Sequence, residues 1–447
     1  MKKSAKSEYI HTNPIDAFLK KVINMNYQET LEYIASINWK GSVLGLERIR
    51  ELMDKLGNPQ KELKFIHITG TNGKGSTAAF LSSVLIEAGY KVGLFTSPYI
   101  EVFNERMQIN NCNISDEELA EITTYIRPFA DAMEDKPTEF ELNTAISLVY
   151  FQRNHCDIVV FEVGMGGELD STNVIDFADV AVFTAIGLDH TEELGDTIEK
   201  IAATKAGIIK KNCRVVLCKQ ADSVSNVIRK KCWEMNAKLF VSEPQQVVFK
   251  GVTIDQQTFD YKELKGLTIP LIGTYQMENV AVALKVVEAL RDGGWNISDE
   301  ALRVGLSKTK WPGRFEVINR DPLFIVDGAH NPHGIRATKS SLVSIFKDKK
   351  LIFIFGVMAD KDYPDMLDEI LPLAKEVLCV TPDNPRALSA EDLARVIQEK
   401  CVFSIVNDSI GNAVDKAFER AQKDDVIVAL GSLYMIGDIK KYKKSKY

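Results

Sequence analysis

The segment Thr69-Gly-Thr-Asn-Gly-Lys-Gly-Ser-Thr77 sets glycines and a lysine between an apolar run and a helical pattern, and a chain with this stretch is committed to a strand, a tight turn and a helix. Leu63-Lys-Phe-Ile-His-Ile68 reads as a buried strand, and residues 76–88 read as a helix stopped by Gly89. Glycines let backbone N–H groups turn inward around an anion, the helix N-terminus adds the positive end of its dipole, and Lys74 adds a point charge. The anion that fits is a polyphosphate such as ATP, with Thr71, Asn72, Gly73, Lys74, Gly75, Ser76 and Thr77 as candidate contacts. Two features depart from the general phosphate-loop pattern: Gly70 and Gly73 are close together, and Gly75 stands where Ser or Thr usually follows the lysine.

A chain of 447 residues that is 45% apolar exceeds the roughly 250–300 residues at which a single core stops growing, so two domains are expected. The balance of 55 basic against 62 acidic residues, a net charge of −7, argues against a nucleic-acid partner or an anionic membrane surface. Seven cysteines, odd in number and never spaced C-x-x-C, fit free thiols in a reducing compartment. The N-terminus lacks an apolar leader, and no apolar run reaches the roughly 18–20 residues a membrane span requires. A cytoplasmic monomer acting on small molecules is expected.

From about residue 64 onward strand-like and helix-like segments alternate, the mark of a mostly parallel sheet covered by helices. Strand candidates are 65–68, 92–96, 157–163, 180–186 and 214–218. Ser115-Asp-Glu-Glu118 opens a helix through residue 126, and further helices follow at 139–151 and 197–209. Residues 245–270 alternate with a period of two and read as a small antiparallel insertion. Helices return at 276–290 and 298–307, and Lys310-Trp-Pro-Gly-Arg314 then breaks the pattern. The boundary is placed there, giving domains 1–310 and 311–447. The second is a smaller α/β series with strands at 324–326, 351–355, 377–380 and 426–430. The lysine-rich run 440–446 reads as a frayed, solvated tail.

Polar residues gather where these strands end, the edge at which open parallel sheets bind ligands. Ser97, Glu162 and His190 each follow a strand. A hydroxyl, a carboxylate and an imidazole beside phosphates suit Mg²⁺ in part, although histidine is an unusual ligand for so hard an ion. The structural alternative makes His190 a cap partner and Glu162 an ion-pair residue. Lys205 by itself is an ordinary helix-surface lysine. Asp327 and His330, in Asp327-Gly-Ala-His-Asn-Pro332, fall on a strand-to-helix turn, where an Asx-turn is the plain alternative for Asp327. His11, His67 and His155 carry no such context.

Four segments in order resemble the Mur ligase superfamily, and within it the folylpolyglutamate synthase and dihydrofolate synthase family: Gly70-Thr-Asn-Gly-Lys-Gly-Ser76, Glu162-Val-Gly-Met-Gly-Gly-Glu-Leu-Asp-Ser-Thr-Asn173, Trp311-Pro-Gly-Arg314 and Asp327-Gly-Ala-His-Asn-Pro332. The resemblance runs from Leu44 to Leu433. It implies a P-loop-type ATPase domain followed by a Rossmann-like one, and an ATP-dependent ligase that joins L-glutamate to a folate, and to dihydropteroate, through an acyl phosphate. It further implies two Mg²⁺ ions. Ser97, Glu162 and His190 match metal positions, and Lys205 matches a lysine whose carbamylation turns a repelling ammonium into an acceptor for the second ion. Asn279, Arg314, Asp327 and His330 match nucleotide-contacting positions, and Lys74, Lys205, Asp327 and His330 are the residues expected to carry catalysis. Tyr99 and Glu168 stand where the family usually has histidine and arginine, which bears on substrate preference. The alternatives are a Mur-type ligase for a cell-wall precursor and a non-catalytic two-domain switch set by ATP.

Overall fold

The computed structural model describes residues 24–37, 43–347, 349–400 and 403–446, so His11 and Cys401 lie outside the described residues. Eight strands build the first sheet: β1 (Phe65–Thr69), β2 (Val92–Phe95), β3 (Met107–Ile109), β4 (Cys112–Asn113), β5 (Ile158–Glu162), β6 (Val180–Phe183), β7 (Arg214–Leu217) and β8 (Lys238–Val241). They lie in the order β4-β3-β2-β5-β1-β6-β7-β8, all pairs parallel except that β3, near one edge, runs antiparallel to both β2 and β4. All five residues of β1 are buried, as a strand covered on both faces requires. Its alternation sorts the faces. Ile66 and Ile68 join the core beneath the helices Lys74–Glu87 and Gln276–Asp292, while Phe65 joins that beneath Asp116–Asp131 and Glu139–Arg153.

The expected antiparallel insertion is a three-stranded sheet, β9 (Val247–Val252), β10 (Gln257–Tyr261) and β11 (Leu264–Ile269), with Phe259, Leu267 and Ile269 packed into the first core. The second α/β unit holds β12 (Glu316–Arg320), β13 (Leu323–Val326), β14 (Leu351–Phe355), β15 (Ala374–Cys379), β16 (Ser404–Val406) and β17 (Val426–Leu430), ordered β12-β13-β17-β14-β15-β16. Only β12 is antiparallel. No helix among the described residues is long and apolar enough to cross a membrane.

Two local expectations need correction. The helix opened by Ser115, whose hydroxyl accepts the Glu118 N–H at 3.0 Å, runs on to Asp131 through Pro128, because Ala130 in its last turn is buried in the core. The lysine-rich end is no frayed tail: it belongs to the helix Leu433–Lys446, whose Met435, Ile436 and Ile439 are buried and whose Lys440 is 7% exposed.

Candidate active site

The turn after β1 is glycine-rich because side chains crowd it. A Cβ on Gly70 would meet Thr184 Oγ1 at 1.9 Å, and one on Gly73, at φ 88°, would meet Asn279 Oδ1 at 2.3 Å. Gly73 caps the helix Lys74–Glu87 without a side-chain hydrogen bond, so the first N–H groups of that helix keep their capacity to hold an anion. Lys74 folds back, its Nζ donating to the carbonyl oxygens of Gly70 at 3.2 Å and Thr71 at 3.4 Å. Gly75 has its own reason: the Trp311 indole lies 2.6 Å from where a Cβ would sit. The residue that usually follows the lysine is excluded here by a ring from the 311–314 segment.

The loop faces a cavity of about 550 Å³ between the two sheets. From the first half come Thr71, Asn72, Gly73, Lys74, Gly75, Ser76, Ser97, Glu162, His190 and Asn279; from the second come Arg314, Asp327 and His330. Thr77 is the exception among the phosphate-loop candidates. It is fully buried under the first helical turn and does not line the cavity.

Because β2 and β5 are neighbours, with Phe95 opposite Phe161, the residues just past them meet: Ser97 N–H donates to Glu162 Oε2 at 3.2 Å. Burial pushes the Glu162 carboxyl above its usual range, against the pull of Lys74, the Ser97 N–H and Arg314. His190 follows β6 with a left-handed φ of 50°. Desolvation, with Lys361 and Lys74 nearby, holds its imidazole below the ordinary value, against the opposing pull of Asp189 and Glu193, and so keeps a lone pair available. Among the described residues, no group of three or more His, Cys, Asp or Glu side chains gathers as a metal cage. Ser97, Glu162 and His190, all on the cavity wall, offer one hydroxyl, one carboxylate and one imidazole, a set that would suit only an ion keeping waters and phosphate oxygens in its shell.

Lys205 is not on the surface, as its helix alone suggests. It is 4% exposed, and its Nζ donates to Gly70 O at 3.0 Å from behind the phosphate loop, outside the cavity lining. The close approach depends on Gly167, where a Cβ would lie 2.8 Å from the Lys205 carbonyl oxygen. Burial, aided by the Lys74 charge, brings the amine down to about 7.

In the second half, Asp327 ends β13 with its carboxylate fully engaged. Oδ2 accepts from Tyr275 Oη and the Phe315 N–H, both at 3.0 Å, and Oδ1 accepts the Ala329 N–H at 2.8 Å. This includes the Asx-turn bond, yet Asp327 also lines the cavity. His330 Nδ1 lies 2.8 Å from Gly328 O. A carbonyl only accepts, so Nδ1 carries the hydrogen and Nε2 is left as an acceptor. Burial holds this ring down at about 4.

Sequence reasoning passed over Tyr275, Lys361, Arg386 and Asp189 as a pair-former. Lys361 and Arg386 line the cavity, and Lys361 Nζ lies 3.4 Å from Asp189 Oδ1 across the two halves. The loops after β14 and β15 were the available signal, since both end parallel strands. The 138–141 segment also lines the cavity, whereas Arg106 lies outside it, stacked on Tyr99 and Phe103.

A deep cleft between two α/β units, floored by a phosphate-type loop, defines a two-domain nucleotide-dependent enzyme. Residues 68–287 match the Mur ligase middle domain, and residues 313–433 match the Mur ligase glutamate ligase domain. A dihydrofolate synthase/folylpolyglutamate synthase from Bacillus subtilis is 38% identical over 93% of this chain and 98% of its own length. Among solved structures, E. coli FolC in complex with DHPP and ADP superposes with a TM-score of 0.84 at 29% identity, covering 94% of this chain and 98% of that one. Mycobacterium tuberculosis folylpolyglutamate synthase, complexed with ADP and AMPPCP, gives a TM-score of 0.86 at 29% identity, covering 94% and 99%. The chain belongs to the folylpolyglutamate synthase/dihydrofolate synthase family of the Mur ligases.

Proposed function

We infer that the chain is an ATP-dependent ligase that adds L-glutamate to a folate and, by the same chemistry, to dihydropteroate. The observation that carries this is a single cleft in which the phosphate loop faces Arg314, Asp327 and His330 of the other half. The relatives named for folate chemistry span nearly the whole chain, which favours this reading over a cell-wall ligase or a silent switch.

The substrate carboxylate attacks the γ-phosphorus of ATP, ADP leaves, and an acyl phosphate forms. The glutamate amine then attacks the acyl carbon and inorganic phosphate departs. The first step is mostly positioning and charge neutralisation. Loop N–H groups and Lys74 hold the phosphates, and Asn279, beside Gly73, fixes the loop from the helix Gln276–Asp292. Ser97, Glu162 and His190 would hold Mg²⁺, which supplies a Lewis acid for phosphate oxygens. Lys205, with an amine half neutral near pH 7, is able to add CO₂, and the carbamate so formed would serve a second ion. In the second half, His330 Nε2 is a hydrogen-bond acceptor that can orient the incoming glutamate amine, whose ammonium proton leaves to water, and Lys361 and Arg386 are cations for its carboxylates. Asp327 orients the turn that carries His330. Closure of the two units, divided at 310/311, keeps water from the acyl phosphate. One chain supplies the whole cleft, which supports a monomer working on small molecules.

The test is phosphate release by purified protein with ATP and Mg²⁺. Release that requires both a folate or pteroate and glutamate is the expected result; release indifferent to either removes the ligase reading.

A further inference from the structure

Between β2 and β3 the chain leaves the sheet for a loop, residues 96–106, that is closed on itself. Thr96 N–H donates to Arg106 O at 3.0 Å, and the Glu105 carboxylate accepts N–H groups from Ile100 at 2.7 Å, Glu101 at 3.0 Å and Val102 at 3.1 Å. One end of the loop carries Ser97, bonded to Glu162 in the cavity. Its opposite side is pressed onto the second half of the molecule. Ile100 packs against the core cluster containing Phe324 and Ile436, and a Cβ on Gly437 would lie 2.0 Å from Ile100 O.

The polar part of this contact is a buried lysine. Lys440, its side chain 8% exposed, stands on the helix Leu433–Lys446 with Nζ 3.0 Å from Glu101 Oε1 and 3.0 Å from Glu316 Oε2. Glu316 Oε2 also accepts the Gly313 N–H at 2.7 Å, one residue before Arg314. Lys440 therefore ties two cavity-lining stretches together, one from each half. Glu316, on the same half, holds the buried ammonium through both carboxylate oxygens, while the Glu101 contact is the part of the pairing that depends on the halves being together. Lys444 adds a second, exposed contact to Glu101.

We propose that Lys440 is a positioning residue that couples closure of the two halves to the placement of Ser97, holding the 96–106 loop through Glu101 and the 311–314 segment through Glu316. The proposal rests on reading Ser97 as a magnesium-site residue. When the halves part, Lys440 remains with Glu316 and the loop loses its tether. Ser97 is then aligned with Glu162 only in the closed form.

The experiment titrates steady-state phosphate release with Mg²⁺ at saturating ATP, folate and glutamate, alongside each variant's melting temperature. Glu101→Gln strips the charge from the tether but leaves Lys440 on Glu316, so the second half keeps its packing; Lys440→Met removes the ammonium, Lys440→Arg keeps a cation, and Ser97→Ala is the reference. The expected result is a Mg²⁺ half-saturation raised about fivefold or more in Glu101→Gln and Lys440→Met, largely recovered in Lys440→Arg, with the melting temperature of Glu101→Gln nearly unchanged. An unmoved half-saturation in Glu101→Gln beside a shifted Ser97→Ala overturns the proposal alone. So does activity lost only in step with stability. An unmoved Ser97→Ala titration overturns the Ser97 reading and the proposal with it.

Discussion

The Nζ of Lys205 stands 3.0 Å from the carbonyl oxygen of Gly70, so the helix Ile198–Ala206 touches the phosphate loop from behind. The contact reaches the loop without lining the cavity. Since burial and Lys74 bring the amine to about 7, a larger neutral fraction is present at pH 8 than at pH 6, where an ordinary lysine would be charged at both. Removing CO₂ and bicarbonate should therefore cost more activity at pH 6 than at pH 8. Lys205→Ala should lower turnover roughly 100-fold, with partial rescue by formate or acetate. Near-normal turnover in Lys205→Ala sinks the carbamate reading.

Gly75 faces the Trp311 ring, 2.6 Å from the position a Cβ would take. Gly75→Ser should displace the indole, alter its fluorescence and raise the KM for ATP about tenfold. Adding Trp311→Ala should recover part of that loss, because the two residues share one space. Strictly additive effects would show that the crowding does not limit nucleotide binding.

Glu162→Ala removes both a cavity carboxylate and the acceptor of the Ser97 N–H. The Mg²⁺ requirement should rise at least about tenfold, with little loss of stability, because the Ser97 N–H lies at the cavity wall where water can replace the lost acceptor. Superimposable magnesium titrations for wild type and variant would take Glu162 out of the site.

His330 is held at about 4, so it is neutral from pH 5.5 to 8.5 and should contribute no limb to the activity profile in that range. The unfolded chain protonates it near about 6.5, so it binds more protons unfolded than folded between those values. Its contribution to stability is then lost as pH falls from 6.5 toward 4. Relative to His330→Asn, wild type should melt progressively lower as pH drops through this window. A constant difference between the two melting curves contradicts a ring kept neutral in the folded protein.

Lys74→Ala should abolish turnover while leaving the fold intact, because Lys74 is only partly buried and bonds loop carbonyls alone. Circular dichroism and phosphate release together check this.

The strand–turn–helix of the phosphate loop, the parallel series on either side of residue 310, the antiparallel insertion and the strand-end positions of Ser97, Glu162, His190, Asp327 and His330 were legible from the chain alone. Each rests on local signals: residue period, glycine at a turn, a capping hydroxyl. The burial of Lys205 and Lys440, the exclusion of Thr77 from the cavity and the Lys361–Asp189 pair were decided only by tertiary structure. Lys361 and Asp189 are 172 residues apart in sequence, and no local pattern records which distant carboxylate a lysine will meet. Periodicity settles which face of an element is apolar, but the surroundings of a charge depend on how whole units pack, and there the low dielectric and the missing Cβ atoms of Gly167 and Gly437 fix the outcome.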